Sequence, residues 1–317
     1  MTRLLLAALA LFLATEAPAQ TYPAAPVRLI VGFPPGGAND ILARIVGAKL
    51  QEALGQPFLV ENRPGANAII ATESVARSPA DGHTLLIGAS GAMTFNPGLY
   101  DKLPYDPVRD FAPVTMIGSF PLVLTINPGV GAQSVGELIA LAKGQPGKLN
   151  YSAGSTPFQV VAELFKQQTG ISVNHIPYKG SAAAVTSVIA NDTQMTFVDS
   201  PPVVAHIKSG KLRGLAVTSK TRAAVLPELP TMAEAGMRDF DVVLWTSLFA
   251  PAGTPPALIE RLHQGIAKVL QMADVRERIA GFGIDPGNAG PGELGAILKA
   301  DLARWTAVSK SANIKAN

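Results

Sequence analysis

The chain alternates short apolar runs with longer amphipathic segments, and this alternation constrains the fold more than any single motif. The apolar runs resemble buried strands, and most are followed by turns that contain glycine, proline or other small residues. Such alternation predicts parallel sheets covered by helices on both faces. The predicted strands are Arg28–Val31, Phe58–Glu61, Thr84–Gly88, Leu149–Ser152, His175–Tyr178, Met195–Val198 and Leu212–Thr218, and helices are predicted from near Asn39 and over Ile69–Arg77, Ser134–Lys143, Phe158–Thr169, Ala182–Ala190, Pro256–Met272, Val275–Ala280 and Gly292–Ser311.

Two longer apolar stretches, Val114–Ile126 and Val242–Ala250, separate two such α/β units. The first stretch is interrupted near Ser119–Pro121, so we do not predict that it forms a single strand. We interpret both stretches as the chain crossing from one domain to the other.

A chain of 317 residues, 48% of them hydrophobic, is long enough for two domains. We predict a discontinuous first domain, residues 20–123 plus 224–317, and a second domain, residues 124–223. Closure is expected as a hinge motion about Pro121–Thr125 and Leu244–Ala250. Ligands of open parallel sheets bind at the carboxyl ends of strands, so we expect a cleft between the domains. The strand ends predicted to line it are Gly32–Asn39, Ala89–Gly91, Ser152–Thr156, Lys179–Ser181 and Asp199.

The stretch Arg28–Arg44, RLIVGFPPGGANDILAR, shows what such a strand end offers. A strand leads through a turn rich in glycine and proline into a helix that Asn39 or Asp40 can cap. Free N–H groups and the helix dipole make this turn suitable for an anion, or it is a purely structural turn. It matches neither GxGxxG nor a phosphate-binding loop. The second unit repeats the arrangement at Ala153–Pro157, and two opposed helix starts suit a small ligand with carboxylates at its ends.

The first 19 residues have the pattern of a signal peptide. Arg3 precedes an apolar core, Leu4–Ala14, and Ala17-Pro18-Ala19 forms a small-residue cleavage site before Gln20. Eleven apolar residues are too few to span a bilayer, which needs about 20. We therefore predict an exported protein located in the periplasm.

Composition argues against several functional classes. A net charge of +3 without basic runs does not favour nucleic-acid binding, and the absence of cysteine excludes disulfides and thiolate metal sites. No GxSxG or HExxH motif is present, and the four histidines lack metal-ligand spacing. We expect no cofactor, no metal and no enzymatic activity, although an exported hydrolase is kept as a less favoured alternative.

Eight stretches carry a resemblance that covers essentially the whole chain after the leader. The chain resembles the Bug-type solute-binding proteins of tripartite tricarboxylate transporters. This implies a periplasmic-binding-protein type II-like fold, with two Rossmann-like α/β domains joined by two crossover strands and a ligand cleft between them. It also implies binding of a small organic acid, often a dicarboxylate, by a monomer that delivers it to the transporter's membrane subunits. The stretches are IVGFPPGGANDILAR, VENRPGA, DGHTLLIG, LPYDPVRDFAPV, NYSAGSTPFQVVAELF, HIPYKGSAAAVTSVI, GKLRGLAVTSKTRAAVLPELPTMAEAG and LFAPAGTP.

The resemblance also implies which turns contact the ligand. Gln159 stands where a histidine is common in the family, Asn67-Ala68 replace a frequent glycine pair, and His83 replaces a tyrosine. The change at Gln159 leaves the identity of the acid open. The implied ligand-binding residues are Phe33, Pro35, Gly36, Ala38, Asp40 and Ser90 in the first domain and Ser152, Gly154, Ser155, Thr156, Gln159, Tyr178, Lys179, Gly180 and Asp199 in the second.

Four of these residues also have other interpretations. Asp40 either caps its helix or contacts ligand-bound water. Asp199 either accepts a hydrogen bond from a ligand hydroxyl, amine or protonated acid, or selects against extra negative charge. Lys179 is interpreted first as a solvated surface lysine, and Tyr178 as half core with its hydroxyl available to the cleft. A ligand-sensing subunit for a membrane kinase would use the same cleft and is an alternative to transport.

Overall fold

The computed structural model describes residues 22–311 and residue 314, and the predicted signal peptide lies outside this range. The strands are β1 (Val27–Val31), β2 (Phe58–Asn62), β3 (Thr84–Ala89), β4 (Phe111–Ile126), β5 (Asn150–Ala153), β6 (Asn174–Pro177), β7 (Met195–Asp199), β8 (Arg213–Val217), β9 (Val243–Pro251) and β10 (Asp285–Pro286). The α-helices are α1 (Ala38–Leu54), α2 (Ile69–Ala76), α3 (Asn96–Leu99), α4 (Val135–Gly144), α5 (Thr156–Thr169), α6 (Ser181–Ile189), α7 (Pro201–Lys208), α8 (Pro256–Gln271), α9 (Ala273–Gly281) and α10 (Pro291–Ser311).

The strands form a sheet in the order β2–β1–β3–β9–β4–β7–β5–β6, and β8 and β10 also pair with β4. β1 is parallel to β2 and β3, and β5 is parallel to β6 and β7, which confirms the two predicted parallel units. The first lobe contains β1–β3, β9, β10 and the first part of β4. The second lobe contains β5–β8 and the last part of β4.

Strand β4 belongs to both lobes. Residues 111–121 pair with β9, and residues 122–126 pair with β7, so the strand crosses from one lobe to the other. The prediction that this stretch is not a single strand is wrong. Pro121 lies where β4 changes partners, so its missing N–H interrupts no continuous hydrogen-bond ladder. Two register shifts against β9 accommodate the irregular residues before it.

Helix α1 packs as its periodicity predicts. Leu42, Ile45, Val46 and Leu50 are buried, whereas Ile41 is only partly buried. In the second lobe, the ring of Phe165 on α5 meets that of Phe197 on β7 edge-on, with centroids 5.5 Å apart. Each lobe therefore holds its helices on the sheet through apolar contacts, and the strand ends remain available for a site.

The segment from residue 218 to 242 lies against the second lobe. Met232 N donates to Val217 O, and Val242 N donates to Thr218 O, both at 2.9 Å. These bonds connect the backbone of residues 224–242, which we assigned to the first domain, to the second lobe. The domain boundary after residue 223 stays a prediction.

Apart from two three-residue 3-10 helices, two helical segments between strands were not predicted. A π-helical turn, Gly91–Phe95, continues into α3, and α7 follows β7. Phe95 stacks on Trp305 of α10 with ring centroids 4.1 Å apart, so contacts distant in sequence stabilise a segment that contains glycine and proline. No helix within the described residues is long and apolar enough to cross a bilayer.

Candidate functional site

The carboxyl ends of β1, β3, β5, β6 and β7 meet at one pocket between the lobes, here called the central pocket. Its volume is about 30 Å³, room for only one or two water molecules. A ligand of several heavy atoms therefore enters while the lobes are apart, and the lining side chains must shift when the lobes close around it. The lining residues are Phe33, Pro34, Gly37, Asn39, Asp40, Ala89, Ser90, Gly91, Phe120, Gly154, Ser155, Pro157, Phe158, Gly180, Ser181, Asp199, Leu244 and Trp245.

The start of α1 is bound by a carboxylate of the opposite lobe. Ala38 N donates to Asp199 Oδ2 at 2.6 Å, and both residues are buried. Gly37 is the N-cap residue of α1, so the predicted capping by Asn39 or Asp40 is wrong. Of the two opposed helix starts expected to bind a ligand, one is thus occupied by the protein's own anion.

Asp199 is almost completely buried. Burial raises the pKa of its carboxyl group, and the Ser181 hydroxyl and the N–H groups of Ala38 and Asp199 lower it by less. Asp199 Oδ1 has no hydrogen-bond partner among the described residues, although it too is buried. A buried polar atom without a partner requires an explanation.

The start of α5 offers the donors that α1 does not. Ser155 is the N-cap residue, its side chain makes no capping hydrogen bond, and Gly154 and Ser155 both line the central pocket. The first N–H groups of a helix have no intrahelical acceptor, which leaves those of Thr156 and Phe158 available. Pro157 has no N–H and fits the first turn. This helix start is suited to a carboxylate.

The lobes also touch beside the start of α5. Thr156 Oγ1 donates to Asn96 Oδ1 of the first lobe at 3.1 Å, and both side chains are buried. Gly91 approaches Pro157 so closely that a Cβ atom at Gly91 would lie 2.8 Å from the proline ring. The central pocket is therefore bounded by direct contacts between the lobes at both helix starts.

Asn96 also holds a strained turn in the first lobe. Ala66, Asn67 and Ala68 have φ values of 45°, 51° and 69°, a left-handed conformation that non-glycine residues adopt at a cost of about 1–2 kcal/mol each. Asn96 Nδ2 donates to Asn67 O at 2.9 Å, and Asn67 Nδ2 donates to Tyr100 Oη at 2.7 Å. These bonds hold Asn67 in this left-handed conformation.

Asp40 fastens the turn that precedes α1. Gly36 N donates to Asp40 Oδ2 at 3.1 Å, and Asn62 Nδ2 and Arg44 Nε donate to Asp40 Oδ1 at 2.9 and 3.0 Å. Burial raises the pKa of Asp40, but the hydrogen bonds from Arg44, Asn62 and Gly36 outweigh it, so the pKa lies below its usual value. Both oxygens of Asp40 are therefore engaged within the first lobe.

Two pocket residues of the first lobe are held by β9. Trp245 N donates to Ser90 Oγ at 3.3 Å, and Thr246 Oγ1 donates to Asn39 Oδ1 at 2.7 Å. Strand β9, the second crossing between the lobes, thus fixes the side chain of Asn39 after β1 and that of Ser90 after β3.

The structure brings about half of the predicted site residues to the central pocket. Those lining it are Phe33, Asp40, Ser90, Gly154, Ser155, Gly180 and Asp199. Tyr178 and exposed Lys179 instead line a neighbouring cavity of 270 Å³, here called the outer cavity, which is bounded by residues 64–68.

The remaining predicted residues lie outside both linings. Ser152 is fully buried and its hydroxyl donates to Ala184 O at 3.0 Å, while the Thr156 hydroxyl is bound to Asn96. The others outside both linings are Pro35, Gly36, Ala38 and Gln159. Ligand contact for all predicted residues stays a prediction.

Several lining residues were not among the chosen ones. Asn39, Gly91 and Ser181 lie within the strand ends predicted from the alternation, so the signal was present in the sequence. Phe120 and Trp245 come from the crossing strands, for which the sequence offers no comparable signal. Among the described residues, no three histidine, aspartate or glutamate side chains are grouped as metal ligands.

Comparison with known proteins decides the family. A family model described as "Tripartite tricarboxylate transporter family receptor" matches residues 42–314. The chain belongs to this family. Among the receptor's relatives, Protein BugT of Bordetella pertussis is 40% identical over 323 residues and 99% of each chain is covered, which confirms the Bug-type resemblance.

Solved structures of relatives confirm the type II-like, two-lobe fold of this tricarboxylate transporter receptor. Rpa4515 of R. palustris, solved with adipate, matches with a TM-score of 0.90 and 34% identity over 93% of this chain and 99% of that one. MatC (Rpa3494) from Rhodopseudomonas palustris, solved with bound malate, matches with a TM-score of 0.86 and 27% identity over 90% and 99%.

Proposed function

We propose that this receptor binds a small organic carboxylate between its lobes and delivers it to the membrane subunits of a tripartite tricarboxylate-type transporter. The observation that carries the proposal is the central pocket, where the start of α5 faces strand ends of the other lobe. The adipate and malate in the related structures support this ligand class.

The carboxylate is held mainly by N–H groups and hydroxyls. No lysine, arginine or histidine is among the residues that line the central pocket, and its two ionisable side chains, Asp40 and Asp199, are acidic. Hydrogen bonds from neutral donors to a charged group contribute about 1.5–3 kcal/mol each. Lys179, exposed in the outer cavity, attracts the anion without clamping it.

Binding is coupled to lobe closure. The closed arrangement brings donors of both lobes to one ligand, and a ligand shifts the open–closed equilibrium only as far as it binds the closed form better. The change occurs as hinge motion where β4 changes partners and where the chain enters β9.

A thermal-shift screen of the purified protein tests the proposal. Aliphatic, hydroxy, amino and aromatic mono- and dicarboxylates are compared at equal concentration. A ligand at about 100 times its dissociation constant adds about 2.7 kcal/mol to the free energy of unfolding. If no carboxylate raises the melting temperature, or if carboxylic esters are turned over, the receptor proposal is wrong.

Location in the periplasm is part of this proposal and is supported by the family and by the leader pattern of residues 1–19. Cleavage before Gln20 is expected, and N-terminal mass analysis of periplasmic material measures it. An intact Met1 in soluble cytoplasm would contradict the proposed location.

A further inference from the structure

We propose that Asp199 selects the ligand: one carboxylate oxygen joins the two lobes, and the other accepts a hydrogen bond from a hydroxyl or ammonium group of the ligand. This inference rests on the proposed function and narrows the ligand to hydroxy- or amino-substituted carboxylates.

The first oxygen is committed to the opposite lobe. Asp199 Oδ2 accepts the 2.6 Å hydrogen bond from Ala38 N at the start of α1. A carboxylate at a helix N-terminus is favoured by both the free N–H group and the helix dipole. A ligand carboxylate would have to displace Asp199 to bind at the start of α1. We therefore expect the ligand carboxylate to bind at the start of α5 instead.

The second oxygen lacks a partner. Asp199 lines the central pocket and is 2% exposed, and no described residue donates a hydrogen bond to its buried Oδ1. Leaving a buried acceptor unpaired is unfavourable, so a donor on the ligand gains a hydrogen bond that the closed protein does not itself supply. A hydroxyl or ammonium group provides this donor.

The charges around the pocket favour the same assignment. The other acidic residue, Asp40, has both oxygens engaged by Arg44, Asn62 and Gly36, which leaves Asp199 as the acceptor for a ligand. No cation lines the pocket to compensate a second ligand carboxylate next to Asp199. A neutral or positive substituent at this end of the ligand is therefore preferred over a second anion.

Titration calorimetry on the purified protein tests the inference with matched ligands of equal length. Succinate is compared with malate and aspartate, and propionate with lactate and alanine. Each donor-bearing ligand is expected to bind about 10- to 150-fold more tightly than its unsubstituted parent, the range for one hydrogen bond to a charged group.

Variants of Asp199 separate its two roles. In Asp199→Asn the amide oxygen still accepts from Ala38 N, while the amide NH₂ group replaces the free acceptor, so the preference for donor-bearing ligands should disappear. Asp199→Ala should lower affinity for all ligands because it also removes the bond between the lobes. Asp192→Asn, an exposed position in the same lobe, removes the same charge and should change nothing.

The outcomes distinguish the inference from the proposed function. If no carboxylate binds at all, the receptor proposal itself fails. If wild-type protein binds succinate and propionate as tightly as their substituted partners, carboxylate binding stands and the role of Asp199 as acceptor is wrong.

Discussion

Replacing Thr156 by valine measures how much the contact between the lobes contributes to ligand affinity. The Thr156 hydroxyl donates to Asn96 Oδ1 at 3.1 Å, and both side chains are buried in the closed arrangement. Valine keeps the shape but leaves the Asn96 oxygen unpaired, which costs about 1–3 kcal/mol. In an open form both groups reach water, so the cost falls on the closed form alone. Since affinity scales with the closed population, it should fall about 5- to 150-fold.

The assay is titration calorimetry with malate and adipate, together with thermal unfolding. Thr186→Val is the matched control, because Thr186 is an exposed helical residue of the second lobe whose hydroxyl bonds only to its own helix at Ala182 O. Thr156→Val should lower affinity with little change in melting temperature, and Thr186→Val should leave affinity unchanged. An unchanged affinity in Thr156→Val would refute the reasoning from closure.

A double-mutant cycle with Asn96→Ala identifies the partner of the hydroxyl. If Thr156 acts through Asn96, the two penalties overlap, and the double variant binds about as weakly as Asn96→Ala, which also loses its bond to Asn67 O. If Thr156 instead contacts the ligand directly, as the family resemblance implies, the penalties add. Fully additive penalties would therefore show that Thr156 contacts the ligand directly. The bond between Thr156 and Asn96 would then not be the cause of the lost affinity.

Three further changes test other parts of the site. Gly154→Ala places a Cβ atom 2.3 Å from the Gly180 carbonyl oxygen, so it should lower both melting temperature and affinity; an unchanged melting temperature would show that the turn adjusts freely. Lys179→Met should weaken binding only modestly, and less at high salt, because Lys179 is exposed; complete loss of binding in calorimetry would make the site a charge clamp. Because the pKa of Asp40 is lowered, its ionisation stabilises the fold above the usual pKa of about 3.9, and this contribution is lost as the pH falls through the lowered value. Asp40→Asn should therefore flatten the acid side of a plot of melting temperature against pH, and an unaltered slope would contradict that role.

Local patterns in the sequence were sufficient to predict most of the strands and helices. The strands predicted at Arg28–Val31 and Met195–Val198 differ from β1 and β7 by one residue each, because an apolar run bounded by breakers is a local signal. The segment Gly91–Leu99 was missed because its glycines, asparagine and proline indicate a loop, whereas burial against α10 makes it helical. Tertiary contacts decided against local propensity there.

The sequence predicted less of the candidate site than of the fold. The rule that ligands bind at strand ends found Asn39 and Ser181 by position, although neither was among the chosen residues. The bond between Ala38 and Asp199 joins residues 161 positions apart, and no periodicity or spacing encodes it. Sequence placed Asp199 at the end of a strand correctly, but only the packing of the two lobes shows that it binds the opposite helix.

The position of β9 in the sheet has a consequence for the order of folding. β9 lies between β3 and β4, so the first lobe cannot complete its sheet until the whole second lobe has been synthesised. The strands β5 to β8 are contiguous in the chain and close shorter loops, which favours earlier folding of the second lobe. Pulsed hydrogen exchange should find β5 and β7 protected before β1 and β3; simultaneous protection would contradict this order. Until β9 arrives, the edge of β3 has no partner, so a nascent chain exposes a strand that aggregation or a chaperone can capture.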